Sequence, residues 1–199
     1  MNMVRDPISR MAIVCRSPGA KSSLGMFTWE GRLQPSWWSK TFDACVLTGD
    51  PECHVGGNRY CGENLHCVYL IRSELLLSYF CGYGPGCSDP KSVSSLQKAK
   101  AAVEQQYSVV GLSERRNVSL AVMEAFLPSW FSQATSMEEE KGSKREMVNS
   151  HPEPGEQTRA ELMKRLELDY NFYYFCLQRL EMQWKSILRD RNKKLSSLH

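Results

Sequence analysis

The apolar and polar positions of this chain predict an α/β fold. The run 109–112 (Val-Val-Gly-Leu) has the length and β-branching of a buried strand. Good helix formers fill residues 92–106 before it, and a second helical pattern over residues 118–131 ends near Pro128. A loop, a helix and a buried strand in this order are typical of α/β proteins.

The first residues predict another strand that leads into a helix. Residues 1–4 suit the end of a strand, Asp6 can cap free N–H groups, and Pro7 suits the first position of a helix. Arg5 stands where strand meets helix, so an anion bound there gains both the helix N-terminus and a forked guanidinium. A surface arginine before a capped helix is the alternative.

The C-terminal region predicts one long amphipathic helix of about 30 residues. Its apolar positions recur every three or four residues, at Leu162, Leu166, Tyr170, Tyr173, Leu177, Leu180, Trp184 and Ile187. This face needs a partner surface, which is either the chain's own domain or another subunit. The aromatic cluster at residues 170–175 is predicted to be core and not a ligand site.

Length and composition fit one globular domain. The chain has 199 residues, of which 42% are apolar and 24% charged, and its net charge of +3 is too small to indicate a nucleic-acid partner. We expect a domain over residues 1–131, a flexible polar linker over 132–157, and a helix over 158–199 that belongs to the same domain. Residues 17–40 interleave cations with tryptophans, which suits a sugar or polyanion; packing of the tryptophans against the domain is equally open.

Cysteine spacing favours disulfides over zinc. Six of the eight cysteines lie within residues 45–87, and none of these six forms a Cys-x-x-Cys pair. They are Cys45, Cys53, Cys61, Cys67, Cys81 and Cys87. The loop between the last two is rich in Gly and Pro and can turn back far enough for their sulfurs to meet. Disulfides that close such short loops stabilise a fold by about 2.5 kcal/mol each and require an oxidising compartment. Zinc binding remains the alternative, because His54 and His66 each lie beside a cysteine and could complete a metal site.

The sequon at Asn117, Asn-Val-Ser, also fits a secretory protein. However, the first residues hold no apolar leader, and no run of about 20 apolar residues follows. We therefore expect this sequence to be the C-terminal portion of a longer protein.

An ordered set of motifs resembles one enzyme family. In chain order the motifs are Asn-Met-Val-Arg-Asp-Pro at 2–7, Phe-Asp-Ala-Cys-Val at 42–46 with Cys53, Tyr-Phe-Cys-Gly at 79–82 with Cys87, Val-Val-Gly-Leu-Ser-Glu at 109–114, and Leu-Asp-Tyr-Asn-Phe-Tyr at 168–173. Nearly the whole chain, apart from an insertion around residues 56–72, resembles the uronyl 2-O-sulfotransferase family. The uronyl 2-sulfotransferases match best, followed by the heparan sulfate 2-O-sulfotransferases.

The resemblance implies a P-loop-like sulfotransferase fold in a type II membrane enzyme of the Golgi lumen, anchored through a segment before residue 1. Such enzymes move a sulfuryl group from 3′-phosphoadenosine 5′-phosphosulfate (PAPS) to the 2-hydroxyl of a hexuronic acid in chondroitin, dermatan or heparan sulfate. Arg5 matches the arginine that holds the 3′-phosphate of this donor. The resemblance also implies Cys45–Cys53 and Cys81–Cys87 disulfides, while Cys61 and Cys67 pair by spacing alone. A homo-oligomer formed through the C-terminal helix is a further expectation.

The chain departs from the family pattern at several points. Ile13 stands where the family has a serine that also contacts the 3′-phosphate, and Ser9 substitutes only with a change of register. The family's phosphosulfate loop and catalytic histidine precede residue 1, and no histidine here matches that base; the four are His54, His66, His151 and His199. We therefore expect no catalytic residue in this chain, which should be inactive alone. The cysteine spacing leads us to expect no metal, with zinc as the weaker alternative. The alternative is a non-catalytic lumenal or secreted protein that binds glycans through a remnant of the fold.

Overall fold

A short parallel sheet lies in the core of the structure. The computed structural model describes residues 1–10, 41–49, 76–82, 84, 86–87, 92–145 and 153–197. Within these ranges, strand β1 (Asn2–Val4) pairs with strand β2 (Val110–Leu112), so that Val4 lies opposite Leu112. Both of these residues are buried. The predicted α/β pattern is confirmed at this level, as a helix-rich chain with a small parallel sheet.

Capped helices precede β2. Residues 7–10 are helical, and the Asp6 carboxylate accepts a hydrogen bond from the Ser9 amide at 2.8 Å, so the predicted cap is confirmed. Helix α1 (Phe42–Leu47) is capped by the Thr41 hydroxyl. Helix α2 (Leu76–Cys81) follows, and helix α3 (Val93–Gln106) is capped by Ser92. The α3 boundaries agree with the prediction for residues 92–106.

A proline divides the helical region that follows β2. A 3₁₀ turn (Ser113–Arg115) leads into helix α4 (Arg116–Phe126), which is followed by helix α5 (Pro128–Phe131). One helix was expected over residues 118–131. The break falls at Leu127, because the ring of Pro128 disfavours the helical conformation for the residue before it.

Helix α6 (Ala134–Arg145) lies where a flexible linker was expected. Its first turns are held against α4 by side chains: the Glu138 carboxylate pairs with Arg116, and the Thr135 hydroxyl donates to Glu124 and lowers the pKa of that carboxyl. A polar segment can therefore be helical here, since Glu138 and Thr135 bond to side chains of the neighbouring helix.

The C-terminal region forms two helices instead of one. Helix α7 (Glu156–Arg165) ends at Leu166, and helix α8 (Glu167–Ser196) then runs for 30 residues. The first half of α8 packs against β2, α2, α3 and α4. Its buried positions follow the predicted helical spacing. No helix in the described ranges is long and apolar enough to cross a membrane.

Helix α4 approaches strand β2 closely at Gly111. A Cβ atom on this residue would lie 2.8 Å from Ser119 Cβ and 2.9 Å from Met123 Cε. Because both neighbours are buried, neither side chain can move aside without disturbing the core. Glycine at this position therefore sets the distance between strand and helix.

We expect Gly111→Ala to lower the free energy of unfolding by about 1–3 kcal/mol through overpacking. Urea denaturation followed by tryptophan fluorescence measures the change. Gly84→Ala is the matched control, since an added Cβ there meets nothing within 4 Å. Equal stability of the two variants would show that the core accommodates the methyl group.

Candidate functional site

The carboxyl ends of the two parallel strands bring Arg5 and Glu114 to the same edge of the sheet. Arg5 directly follows β1, and Glu114 lies two residues after β2. The register places Val4 opposite Leu112, so the residues that follow them are neighbours. Ligand sites of open α/β sheets form at such edges. The location predicted for Arg5, between a strand and a helix, is confirmed.

Glu114 links the two strand ends. Its Oε1 atom accepts a hydrogen bond from the Asp6 amide at 2.9 Å, and its Oε2 atom accepts one from the Tyr173 hydroxyl at 3.2 Å. Asp6 is the N-cap of the helical residues 7–10, and the amide of an N-cap residue is often bonded by a Glu three residues later in a capping box. Here the glutamate is Glu114, from a different segment. The capping box is therefore formed by one residue that follows β1 and one that follows β2.

A second tyrosine of α8 binds the other carboxylate. The Tyr170 hydroxyl donates to Asp6 Oδ2 at 2.9 Å, while Asp6 Oδ1 is occupied by the Ser9 amide. Burial, and then the adjacent Asp6 carboxylate, raise the pKa of Tyr170. Burial and the charge of Glu114 likewise raise the pKa of Tyr173. Both phenols therefore remain protonated at neutral pH and act as hydrogen-bond donors.

The Arg5 side chain is half-buried beside this network. Its guanidinium has no hydrogen bond or ion pair with any residue in the ranges that the structure describes, whereas both neighbouring carboxylates are already bonded. A guanidinium offers five donors in a planar fork that matches an oxyanion. The arrangement can therefore bind an anionic group at the end of β1.

The sequence did not reveal the role of the two tyrosines. We predicted the aromatic cluster to be core, and the rings of Tyr170 and Tyr173 are indeed buried. Their hydroxyls nevertheless reach the strand ends. The available signal was the residue type, since a buried tyrosine nearly always needs a polar partner for its hydroxyl.

The sequon has an exposed asparagine and a buried serine. Asn117 lies on the exposed side of α4. Ser119 is fully buried, and its hydroxyl accepts a hydrogen bond from the Leu112 amide at 2.8 Å and lies 2.9 Å from the Arg115 carbonyl oxygen. Ser119 therefore ties the end of β2 to α4 in the folded chain.

Two cysteines form a disulfide in the structure. Cys81 and Cys87 are joined, with their Cα atoms 5.6 Å apart. Cys176 is a free thiol in the core, and burial raises its pKa to about 12. The thiol is consequently protonated and a poor nucleophile at neutral pH.

Several predicted features lie outside the described residues. They are Cys53, the predicted partner of Cys45, the Cys61–Cys67 pair, the 17–40 segment, Ile13, and the four histidines His54, His66, His151 and His199. Within the described ranges, no three His, Cys, Asp or Glu side chains converge on a metal site.

Comparison with known proteins identifies relatives over nearly the whole chain. It is 30% identical over 197 residues to the uronyl 2-sulfotransferase homolog pip of Drosophila melanogaster, a match that covers 94% of this chain and 37% of that protein. It is 26% identical over 200 residues to heparan sulfate 2-O-sulfotransferase 1 of Xenopus laevis, covering 98% of this chain and 51% of that protein. Uronyl 2-sulfotransferase of Mus musculus is 26% identical over 195 residues, covering 92% of this chain and 42% of that protein.

No family model matches the chain. The chain spans between 37% and 51% of the length of these three relatives. The ordered motifs and the matches therefore agree, and the chain is related to the uronyl and heparan sulfate 2-O-sulfotransferases.

Proposed function

We propose that the chain forms part of a glycosaminoglycan 2-O-sulfotransferase, with Arg5 in the site for the sulfuryl donor. The observation that carries the proposal is the Arg5 guanidinium at the carboxyl end of β1, unpaired within the described part of the chain. The names of the relatives support a uronic acid as acceptor. The full protein would transfer the sulfuryl group to the 2-hydroxyl of a hexuronic acid in chondroitin, dermatan or heparan sulfate.

PAPS is the proposed donor, and when bound it supplies the sulfuryl group. Its 3′-phosphate is the anion proposed to contact Arg5. The two-pronged geometry of a guanidinium suits the oxygens of a phosphate monoester. The helical residues 7–10 start beside it and add the positive end of a helix. The residues at this edge therefore fit the 3′-phosphate in charge and donor type.

The wider setting follows from the same proposal. A P-loop-like sulfotransferase fold would place the described sheet beside the donor, and a Golgi lumenal enzyme of type II topology would meet nascent glycosaminoglycan. The Cys81–Cys87 disulfide is compatible with that oxidising compartment. Pairing of Cys45 with Cys53 and of Cys61 with Cys67, a glycan on Asn117, and a homo-oligomer formed through α8 belong to this proposal.

Calorimetric titration with adenosine 3′,5′-bisphosphate, the nucleotide that remains after sulfuryl transfer, tests the role of Arg5. We expect the full chain to bind it more tightly than adenosine 5′-monophosphate, which lacks the 3′-phosphate. Arg5→Ala should weaken bisphosphate binding by about 10- to 100-fold, since it removes a charged hydrogen-bond donor.

Arg189→Ala provides the matched control, because Arg189 is an exposed arginine near the end of α8. It should leave nucleotide binding unchanged. Retention of the chain on heparin without binding of either nucleotide would contradict the donor site and support a glycan-binding protein without catalytic activity.

A further inference from the structure

The orientation of Arg5 depends on how the backbone on either side of it is held. On one side, Val4 belongs to the parallel ladder opposite Leu112. On the other side, the Asp6 amide donates to Glu114 Oε1 at 2.9 Å. Arg5 is thus a single residue between two fixed points. Together they set the direction of its Cα–Cβ bond, from which the side chain extends.

Glu114 is itself held by α8. The Tyr173 hydroxyl donates to Oε2 at 3.2 Å, so one carboxylate oxygen bonds the strand end and the other bonds the long helix. The Tyr173 ring is buried, with the Tyr170 ring 6.3 Å away between centroids. A rigid aromatic residue therefore fixes a flexible glutamate, which in turn fixes the amide after Arg5.

Electrostatics alone would favour a different residue at position 114. A second carboxylate close to Arg5 repels a phosphate, so a site selected only for anion affinity would carry a neutral side chain here. Both oxygens of the Glu114 carboxylate instead accept hydrogen bonds, one from the Asp6 amide and one from the Tyr173 hydroxyl. This use indicates a structural task at the edge of the site.

We infer that Glu114 and Tyr173 are positioning residues for Arg5, acting through the Asp6 amide. The inference rests on the proposed donor site for its functional meaning, although the geometry is independent of it. The role requires a side chain at position 114 that accepts from the Asp6 amide and also hydrogen-bonds the Tyr173 hydroxyl, and it does not require the negative charge.

Two substitutions of Glu114 separate positioning from charge. Glu114→Gln keeps an acceptor for the Asp6 amide and offers an amide group to the Tyr173 oxygen, so nucleotide affinity should be equal to the wild type or higher. Glu114→Ala removes both hydrogen bonds, and adenosine 3′,5′-bisphosphate should bind at least about fivefold more weakly. If the charge alone mattered, both variants would bind the nucleotide more tightly, and that result would overturn the inference.

Hydrogen exchange of the Asp6 amide gives a second readout that needs no nucleotide. Exchange should be faster in Glu114→Ala than in Glu114→Gln, because only the alanine variant leaves this amide without its acceptor. Tyr173→Phe keeps the ring and should give an intermediate rate. Equal exchange in all variants would overturn the inference. Absence of nucleotide binding in the unmodified chain would defeat the proposed function alone, and the exchange rates would still decide the positioning role.

Discussion

Replacing Phe172 by alanine is expected to destabilise the fold by about 3–5 kcal/mol. Phe172 is 0% exposed and lies on the face of α8 that contacts α2 and α3. Its ring centroid is 4.9 Å from that of Phe80 and 6.4 Å from that of Phe175. Removal of the ring therefore leaves a cavity between three helices, and the lost packing is a large part of the 5–15 kcal/mol typical of a domain.

Urea denaturation of the full chain measures this effect as a lower midpoint at an unchanged slope. Met182→Ala serves as control, since Met182 lies on the same helix but is 58% exposed. The control should change the unfolding free energy by no more than about 0.5 kcal/mol. A loss below about 1 kcal/mol for Phe172→Ala would mean that the helices close over the cavity.

The second large effect concerns a buried carboxyl group in α8. Asp169 is 4% exposed, and its Oδ1 atom accepts a hydrogen bond from the Leu77 amide at 3.3 Å, at the start of α2. Burial raises the pKa of Asp169 to about 6, against the opposing effects of the α2 amides and the charge of Arg10. The carboxyl group therefore links α8 to α2, although burial in the core makes its ionised form unfavourable.

The direction of the pH effect follows from this raised pKa. Since the ordinary pKa of an aspartate is about 3.9, the folded chain holds more protons than the unfolded chain between about pH 4 and pH 6. Asp169 consequently makes the fold less stable as the pH rises through this window. A pKa difference of about two corresponds to about 3 kcal/mol.

Asp169→Asn should remove this dependence, because the amide oxygen still accepts from Leu77 and cannot ionise. We expect the variant to be about 1–3 kcal/mol more stable than the wild type at pH 7.5 and to have a flatter stability profile between pH 4 and pH 6. Denaturant midpoints at four pH values measure both. Asp190→Asn, an exposed site on the same helix, should leave the profile unchanged. A profile for Asp169→Asn that parallels the wild type would contradict the assignment.

The sequence predicted the elements that carry strong local signals. The helix over residues 92–106, the buried strand before Glu114 and the Asp6 cap all depend on neighbouring residues, and the structure has them. The position of Arg5 at the end of a strand was predicted for the same reason. Parallel pairing then brought Arg5 and Glu114 together without further information.

The remainder depended on contacts between distant segments. A flexible linker was predicted over residues 132–157 from their high density of charges. The sequence alone did not show that Glu138 pairs with Arg116 of α4, where the structure has helix α6. Asp169 was overlooked although it falls on the buried face, three residues after Leu166 and four before Tyr173. A carboxylate at such a position signals a buried acid, yet only the fold shows that α2 supplies its donors.

The hydrogen bonds of Asp6, next to Arg5, join residues far apart in the sequence, and this separation has a consequence for biosynthesis. Asp6 and Glu114 are 108 residues apart, and Asp6 and Tyr170 are 164 apart. Ribosomes add about 5–20 residues per second, so β1 waits at least about 5–20 s for its neighbouring strand and longer for the tyrosines. Throughout that interval β1 lacks the partner strand that it has in the described part of the fold, and the hydrogen bonds around Asp6 are completed by residues made much later.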